Sequence, residues 1–238
     1  MKVDLFVSDE CVEYCEAVEK MSSIVDGIIN HNRRSVIWLL THNDVYTAGA
    51  SVKEADNSDI LCREHNIPMY YTDRGGKCTY HGPGQRVAYL MLDLKALYNN
   101  KPDIRHFIYS VEEAVIRVLL EHFGITACRR KGFTGVWVMT DNSGGGSGGG
   151  SLLSKIAAIG IKIKKWVSYH GVAININPDL NLFSNIIPCG IKDASVTSVF
   201  EQGGQETDIN QFDRYFIQSI QSIFNITLIS TLDNKGHP

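Results

Sequence analysis

The sequence has no long apolar run, no excess of positive charge and no basic leader, and each absence excludes a class of protein. No stretch of about 18 consecutive apolar residues is present, so no membrane span is expected. The formal net charge of -3 is unlike that of a general nucleic-acid binder, which is usually basic. The first residues carry acids at Asp4, Asp9, Glu10 and Glu13, unlike the basic start of a signal peptide. A cytoplasmic location is therefore the expectation.

Two familiar cofactor motifs are also missing. None of the six cysteines forms a Cys-x-x-Cys pair, which argues against a structural zinc site. The phosphate-binding pattern Gly-x-x-x-x-Gly-Lys-Ser/Thr does not occur either. The sequence therefore predicts no metal and no bound cofactor.

Periodicity and turn residues predict an α+β fold, with a mixed β-sheet flanked by helices. Regular alternation of strand and helix is absent, which disfavours a doubly wound nucleotide-binding fold. Apolar spacing predicts helices over 9–30, 103–123 and 207–224, with candidate N-caps at Asp9, Asp103 and either Thr207 or Asp208. Apolar runs predict strands over 35–40, 68–73, 86–94, 125–128, 135–140, 155–164 and 167–176, and a last one in ITLIST.

One segment, SGGGSGGGS at 143–151, has almost no side chain to bury and is typical of a flexible coil. Its regularity is that of an inserted laboratory linker, although natural low complexity gives a similar pattern. Because two predicted strands flank it, we expect a disordered hairpin tip there rather than a domain boundary. The chain 1–238 is expected to form one domain.

The densest cluster of glycine and polar residues is RGGKCTYHGPGQ at 74–85, between two predicted strands. Its four glycines and one proline exceed what a simple hairpin turn needs. Successive backbone N–H groups of such a loop can bind an anion or a carbonyl oxygen. Arg74, Thr79, His81 and Gln85 add side-chain hydrogen-bonding groups. A structural turn with solvated side chains is the alternative, and we favour a ligand-binding loop.

The strand KIAAIGIKIKKW at 155–166 begins with a lysine. Strict alternation places Lys155 at the start of an apolar row with Ala157. A lysine facing an apolar site can act as a base or pair with an anion, but a solvated lysine at the strand start is an equally good interpretation. The lysines at 162, 164 and 165 are expected on a solvated face, which would also attract an acidic protein partner.

Two further motifs place a reactive side chain beside glycine. SYHGVAININ at 168–177 contains His170 and Gly171 inside a predicted strand, and a strand glycine often marks the close approach of a ligand. IPCGIK at 187–192 holds Cys189 between proline and glycine, a turn that can present the thiol. The alternatives are a structural histidine and a buried cysteine.

In this order the motifs resemble those of the lipoyl(octanoyl) transferase family. The family pattern runs Arg-Gly-Gly-x-x-Thr-x-His-x-Pro-Gly-Gln, Gly-Val-(aromatic)-Val, Lys-Ile-(small)-(small)-(aliphatic)-Gly, His-Gly-x-Ala-x-Asn and Pro-Cys-Gly. The five blocks occur at 74–85, 135–138, 155–160, 170–175 and 188–190, and THNDVYTAG at 41–49 resembles a sixth. One difference is the connection 139–154, where the family has a short turn.

The resemblance implies a fold like the catalytic domains of biotin and lipoate protein ligases. It implies that Cys189 is the nucleophile and that Lys155 is its partner. It also implies an acyl-chain and thioester site made of Arg74, Gly75, Gly76, Lys77, Cys78, Thr79, Tyr80, His81, Ala158, Ile159, Gly160, Gly171, Val172 and Ala173. The implied donor is octanoyl-acyl carrier protein. The implied acceptors are lipoyl domains of 2-oxoacid dehydrogenase complexes and the glycine cleavage H protein.

The implied activity moves an octanoyl group onto Cys189 as a thioester and then onto a lysine amine as an amide. The free energy of the first exchange, thioester to thioester, is near zero, and the second step, thioester to amide, strongly releases free energy. Neither nucleotide nor metal is therefore needed. Backbone N–H groups of the glycine loop are candidates to stabilise the tetrahedral oxyanion, and His81 is a candidate to remove the amine proton. Two alternatives stay open: an ATP-dependent lipoate or biotin ligase of the same fold, and a non-catalytic acyl-binding or carrier-docking module.

Overall fold

The computed structural model describes residues 1–52, 67–140, 152–186, 195–204, 208–230 and 238. The strands in these ranges are β1 (Lys2–Val12), β2 (Val36–His42), β3 (Val45–Ala48), β4 (Met69–Tyr71), β5 (Cys78–His81), β6 (Gln85–Met91), β7 (Ala127–Arg130), β8 (Phe133–Thr140), β9 (Leu152–Lys164), β10 (Val167–Asn175) and β11 (Thr227–Ser230). The α-helices are α1 (Tyr14–Ile29), α2 (Leu94–Leu97), α3 (Ile104–Phe123) and α4 (Ile209–Phe224). A 3-10 helix covers Leu180–Asn185.

The strands form two sheets. The larger has eight strands in the order β11-β1-β2-β6-β10-β9-β8-β7. In it β1 runs parallel to both β11 and β2, and the other neighbouring pairs are antiparallel. The smaller sheet has the order β4-β3-β5. A mixed sheet with flanking helices confirms the α+β class expected from the sequence.

Helices cover both faces of the large sheet. The first five residues of β2 are all apolar because both faces are buried: Ile37 and Leu39 face the core formed with α3 and α4, and Trp38 and Leu40 face the core formed with α1. A strand buried on both faces loses the apolar–polar alternation of a half-exposed strand. A third, smaller core lies between the small sheet and the 3-10 helix.

The predicted start of the first helix is wrong. Residues 2–12 form β1, and α1 begins after Glu13, whose side chain makes no capping hydrogen bond. Asp9 therefore lies in a strand and caps nothing. The physical reason is distant in sequence, since β1 pairs with β11 on one side and with β2 on the other. Hydrogen bonding to a strand on each side stabilises β1 more than the helical spacing of its apolar residues would stabilise a helix.

The other two helices agree with the sequence. Asp103 caps α3 by accepting the N–H of His106, and Asp208 caps α4 by accepting the N–H of Asn210. Thr207, the alternative cap, lies outside the described residues. None of the helices in the described ranges is long and apolar enough to span a membrane.

The predicted strands are found, with shifted ends. The strand predicted over 86–94 ends at Met91, because Asp93 caps the short helix α2. The sequence did not reveal β3 or β5, and β5 lies inside the glycine-rich motif. Thr140 of β8 pairs with Leu152 of β9 across the hairpin. The Gly/Ser tract 143–151 lies outside the described residues.

Candidate active site

A cavity of about 300 Å³ lies on the face of the large sheet that also carries α1. Its floor is formed by three rows of residues on the adjacent strands β6, β10 and β9. The strand register gives the rows as Gln85 beside Asn175, Val87 beside Ala173 and Ala158, and Tyr89 beside Gly171 and Gly160. The middle of the floor therefore carries small side chains, with a polar row at one end and Tyr89 at the other.

The glycine-rich loop forms the roof of this cavity. A Cβ added at Gly160 would lie 2.9 Å from the Gly75 carbonyl oxygen and 3.1 Å from Cδ of Arg74. The loop can approach β9 this closely because residue 160 has no side chain. The loop therefore lines the cavity, and its role in ligand binding stays a prediction.

Arg74 holds the loop to the small sheet. Its guanidinium is buried and donates to the Thr47 carbonyl oxygen at 2.7 Å and to Thr47 Oγ1 at 2.8 Å. A third bond runs from Nη1 to the Gly75 carbonyl oxygen at 3.0 Å. A planar guanidinium with several fixed donors can fasten a loop that has few side chains.

A bulge in β9 corrects the predicted facing of Lys155. Val136 pairs with Ala157, whereas the next residue of β8, Trp137, pairs with Lys155. The extra residue shifts the alternation, so Ile156 and Ala157 both enter the core with α3 and α4. Lys155 instead lines the cavity, together with Ala158 and Gly160.

Lys155 is buried, with 6% of its surface exposed. Its Nζ donates to the Thr134 carbonyl oxygen at 3.0 Å and lies 4.6 Å from the centre of the Trp137 ring. Of the two interpretations of this lysine, the structure confirms the buried one. The lysines at 162, 164 and 165 are exposed, as predicted.

Gly135 and Glu112 shape the space around the Lys155 amine. Gly135 has a φ of 128°, and a Cβ there would lie 3.2 Å from Nζ of Lys155 and 2.6 Å from the Ala157 carbonyl oxygen. The Glu112 carboxylate accepts the Gly135 N–H at 3.0 Å and pairs with Arg129. Helix α3 thereby fixes the backbone against which Lys155 lies.

A chain of hydrogen bonds ties the polar row to the backbone of Lys155. The Gln85 amide donates to Asn175 Oδ1 at 3.0 Å, and the Asn175 amide donates to the Thr197 carbonyl oxygen at 3.0 Å. The Thr197 N–H in turn donates to the Lys155 carbonyl oxygen at 3.0 Å. The polar row and Lys155 therefore lie at the same end of the cavity.

Cys189 lies outside the described residues, but the chain on both sides of its segment is described. Before it, Ile186 packs in the core under the small sheet, with Cys78 and Tyr80. After it, the Ser195 carbonyl oxygen accepts the Lys155 N–H at 2.9 Å, and Val196 lines the cavity.

His81 is a neutral hydrogen-bonding bridge. Burial lowers the pKa of His81 well below its ordinary value, and the charge of Arg74 acts in the same direction. The Gln85 amide donates elsewhere, so its Oε1 accepts from His81 Nδ1 at 2.7 Å. The acceptor nitrogen Nε2 is left facing Thr47 Oγ1 at 3.5 Å.

The other end of the cavity is aromatic. Burial lowers the pKa of His42 to about 4, so the ring is neutral. Its Nδ1 donates to the Val12 carbonyl oxygen at 2.8 Å, and its Nε2 must then accept from the Tyr89 hydroxyl at 2.9 Å. Tyr14 packs edge-on against His42. His170, whose Nε2 lies 3.1 Å from Asp73 Oδ1, completes this end.

The cavity brings together most of the site residues implied by the family resemblance. Those that line it are Arg74, Gly75, Gly76, Lys77, Cys78, Thr79, His81, Lys155, Ala158, Ile159, Gly160, Gly171, Val172 and Ala173. Tyr80 does not: it packs in the core under the small sheet and donates to Asp44 at 2.6 Å. Strand β5 alternates, so Tyr80 points away from the side that Thr79 and His81 share.

The family motifs gave no place in the site to several residues that line the cavity, notably Tyr14, Val87 and Tyr89. They belong to α1 and β6, far in sequence from the glycine-rich loop that covers them. Each reads as an ordinary core residue in its own segment, so no local signal marked them. Among the described residues, no group of three or more His, Cys, Asp and Glu is placed to hold a metal ion.

Comparison with known sequences gives consistent results over nearly the whole chain. Residues 13–221 match the family model described as the lipoyl protein ligase A/B catalytic domain. An octanoyltransferase of Neorickettsia sennetsu is 43% identical over 220 residues, covering 92% of this chain and 97% of that protein. An octanoyltransferase of Bartonella quintana is 43% identical over 226 residues, covering 95% of this chain and 89% of that protein.

Solved structures with the same fold include a lipoate-protein ligase A bound with ATP, at a TM-score of 0.68 and 16% identity. That match covers 99% of this chain and 91% of the other. A second is the bipartite lipoate protein ligase of Thermoplasma acidophilum, at a TM-score of 0.67 and 16% identity, covering 99% and 89% of the two chains. At this identity the likeness shows the fold alone.

Proposed function

The chain belongs to the family of lipoyl protein ligase A/B catalytic domains, and we propose that it transfers an octanoyl group to lipoyl-domain lysines through a thioester on Cys189. It is an acyltransferase of protein lipoylation, like its octanoyltransferase relatives. One observation carries the proposed path. A channel floored by small residues ends at Lys155, and Ser195, the first described residue after Cys189, is hydrogen bonded to Lys155 at that same end.

The reach of the chain supports this position for Cys189. Cys189 is three positions after Ile186, so the two Cα atoms are at most about 11 Å apart. It is six positions before Ser195, whose carbonyl oxygen accepts the Lys155 N–H, so these two Cα atoms are at most about 22 Å apart. Because Ser195 is bonded to Lys155, the second limit allows the sulfur to meet the Lys155 amine at the polar end of the channel.

The reaction then has two balanced steps. The Cys189 thiolate attacks the donor thioester, and the new carbon–sulfur bond forms as the donor leaves as a thiolate. The acceptor lysine amine next attacks the acyl-Cys189 carbonyl, loses a proton and forms an amide as the Cys189 thiolate leaves. A free cysteine has a pKa of about 8.5, so the thiol must be activated. Lys155 supplies this activation by taking the thiol proton or by pairing with the thiolate.

Backbone N–H groups of the glycine-rich loop are our candidates for the oxyanion site. The carbonyl oxygens of Arg74, Gly76 and Lys77 accept N–H groups from residues 49–51. In a trans peptide the following N–H points the opposite way, so the loop turns N–H groups away from residues 49–51. One such donor contributes about 3 kcal/mol to transition-state stabilisation.

His81 is better suited to holding the loop than to removing the amine proton. Its lowered pKa makes it a weak base near neutral pH, and both ring nitrogens face hydrogen-bonding partners. We therefore assign it to the cavity wall, and the amine proton passes to another acceptor, Lys155 being the nearest basic candidate.

The donor and acceptors that we propose are octanoyl-acyl carrier protein, lipoyl domains of 2-oxoacid dehydrogenase complexes, and the glycine cleavage H protein. We also propose that the chain 1–238 acts as one catalytic domain. Strands near both termini, β1 and β11, pair in the same sheet, which supports this. A cytoplasmic location stays a prediction.

The first test follows octanoylation of a lipoyl domain by mass spectrometry, with octanoyl-acyl carrier protein as donor. Cys189→Ser is expected to lower the transfer rate by at least about a thousandfold, because a serine hydroxyl is hardly ionised at neutral pH. Cys78→Ser is the informative comparison, since Cys78 lines the same cavity. Transfer at the full rate by Cys189→Ser would rule out Cys189 as nucleophile, and selective loss in Cys78→Ser would identify the alternative.

The fold shared with an ATP-bound lipoate-protein ligase makes an adenylating ligase the second candidate. Such an enzyme would form an acyl-adenylate and would not need Cys189. Lipoate-stimulated exchange between pyrophosphate and ATP distinguishes the two, and we expect none from this chain. Exchange that persists in Cys189→Ser would favour the ligase.

A further inference from the structure

The aromatic end of the cavity contains the strongest unexplained feature of the site. Tyr14, Tyr89 and His170 close the channel at the end opposite Lys155, and we call these three residues the end wall. We propose that the end wall sets the upper length of the acyl chain near eight carbons, and that Tyr14 is the residue that excludes longer chains. This inference rests on the proposed function, because it needs the acyl carbonyl at the Lys155 end.

The channel length supports a limit near eight carbons. Asn175, in the polar row that is hydrogen bonded through Thr197 to the Lys155 backbone, and Gly171, level with Tyr89, are four residues apart on β10, about 13 Å. Van der Waals contact with the end wall takes about 4 Å of this, which leaves about 9 Å. An extended octanoyl chain is about 9 Å long and a decanoyl chain about 11 Å. The longer chain must therefore displace the wall or fold back.

The end wall is held rigidly from behind. The neutral His42 ring bridges the β1 backbone and the Tyr89 hydroxyl, so Tyr89 cannot swing away without breaking its buried hydrogen bond to a ring that Val12 holds in place. His170 is held by Asp73 at 3.1 Å. Tyr14 packs edge-on against His42, at 5.2 Å between ring centres, tilted against Tyr70, at 5.4 Å, and stacked against His81, at 6.3 Å. A packed wall of this kind resists displacement by two methylene groups.

Tyr14 differs from its neighbours in one respect. Its hydroxyl is buried and has no hydrogen-bond partner among the residues that the structure describes. Thr72 lies close enough to influence the pKa of Tyr14, which burial raises, but without hydrogen-bonding geometry. Tyr89 and His170, by contrast, are both paired. The end wall thus presents one polar group that a ligand or a water must satisfy.

This hydroxyl gives the length limit an energetic basis. A chain that stops short of Tyr14 leaves room for a water that can hydrogen bond to it. A longer chain excludes that water and buries the hydroxyl without a partner, which weakens binding by roughly tenfold. Steric contact with the Tyr14 ring and desolvation of its hydroxyl therefore both weaken the binding of chains longer than octanoyl.

The test is a competition between equal amounts of octanoyl- and decanoyl-acyl carrier protein, read as the ratio of the two acyl adducts by intact mass. This ratio does not depend on the fraction of active enzyme. Tyr14→Ala is expected to raise the decanoyl-to-octanoyl ratio by at least about tenfold, because the two added methylenes gain space. Tyr14→Phe keeps the ring and removes the hydroxyl, and we expect a rise of several-fold.

Tyr98→Phe is the matched control. The Tyr98 hydroxyl is also buried and without a partner in the described part of the chain, but Tyr98 does not line the cavity. This variant is expected to keep the wild-type ratio. An unchanged ratio in Tyr14→Ala overturns the proposal. If that variant does not fold, an unchanged ratio in Tyr14→Phe overturns it.

A binding measurement separates this inference from the proposed function. Calorimetric titration of Cys189→Ser with octanoate and decanoate needs no covalent step. A gain in decanoate affinity on adding Tyr14→Phe supports the end wall even if Cys189 is not the nucleophile. An octanoyl adduct on the wild type with no change in preference in either Tyr14 variant rejects the end wall alone.

Discussion

At the scale of single residues, the absence of one side chain decides how Lys155 is held. Gly135 takes a φ of 128° in β8, a conformation that residues with a Cβ rarely adopt. Its α-carbon faces both the Ala157 carbonyl oxygen and the Lys155 amine. The bulge in β9 and the glycine in β8 act together, because the first turns Lys155 into the cavity and the second leaves space for it.

Gly135→Ala is therefore expected to reduce transfer strongly, by at least about a hundredfold, because a displaced amine can no longer activate the thiol. The measurement is the rate of octanoyl transfer at saturating donor, together with the thermal midpoint. Gly124→Ala is the control: Gly124 also has a positive φ, of 67°, but nothing lies within 4 Å of an added Cβ. Gly124→Ala should lose stability and keep its rate, and equal rates in both variants would contradict this account of Gly135.

At the scale of elements, the β8–β9 hairpin holds Lys155, the proposed partner of the nucleophile, and its connection carries the Gly/Ser tract. Thr140 and Leu152 are directly paired, so two residues are enough to join them. The sequence already indicated that strands flank the tract. The pairing further shows that the long connection is not required by the geometry of the sheet.

Replacing residues 141–151 by Asn-Gly is expected to preserve octanoyl transfer and to raise the free energy of unfolding by about 1.5 kcal/mol, because a shorter loop loses less entropy on closing. Urea denaturation and the transfer assay measure the two effects. A variant of equal length with the serines of the tract changed to glycine serves as control and should match the parent. Loss of transfer in the shortened protein alone would show that the tract contributes to function.

Some elements could be predicted from the sequence and others could not. Helix α3 was predictable because Asp103, its apolar spacing and Gly124 are local signals. The side of the sheet on which Lys155 lies was not predictable, because the bulge depends on the register between β8 and β9. The residue pattern of KIAAIGIKIK gives no sign of it. Nor was β1, whose assignment depends on its partners β2 and β11.

At the scale of the whole molecule, the cavity joins residues from distant parts of the chain. Tyr14, Arg74, Tyr89, Lys155 and His170 come from five separate elements or loops. Through the family resemblance, sequence motifs predicted Arg74 and Lys155 as site residues. They could not identify the end wall, because Tyr14 and Tyr89 acquire their role from packing around His42.

Burying a neutral histidine at the centre of the molecule makes its stability depend on pH. The pKa of His42 is lowered from 6.5 to about 4, so between these values the unfolded chain binds a proton that the folded chain does not. The free energy of unfolding must then fall as the pH drops from about 7 to 4. His42 alone accounts for a loss of about 3 kcal/mol.

Urea denaturation at pH 7 and pH 5 measures the first part of this loss, about 2 kcal/mol from His42. His42→Gln is expected to be less stable at pH 7 but to show a smaller loss on acidification, because the titrating group is gone. His81 and His170, whose pKa values burial also lowers, maintain the remaining dependence. His122→Gln, on the exposed surface of α3, should keep the full dependence. Parallel pH profiles for His42→Gln and the parent would contradict the assignment.

The central claim is that Cys189 carries the acyl group at the Lys155 end of the channel. It is tested most directly by digesting the wild-type protein after brief exposure to octanoyl-acyl carrier protein and locating the added octanoyl group by tandem mass spectrometry. The account predicts the group on Cys189, in the peptide containing IPCGIK, and on no other residue. An octanoyl group found instead on Cys78, or no covalent adduct in a protein that still transfers octanoate, would contradict it.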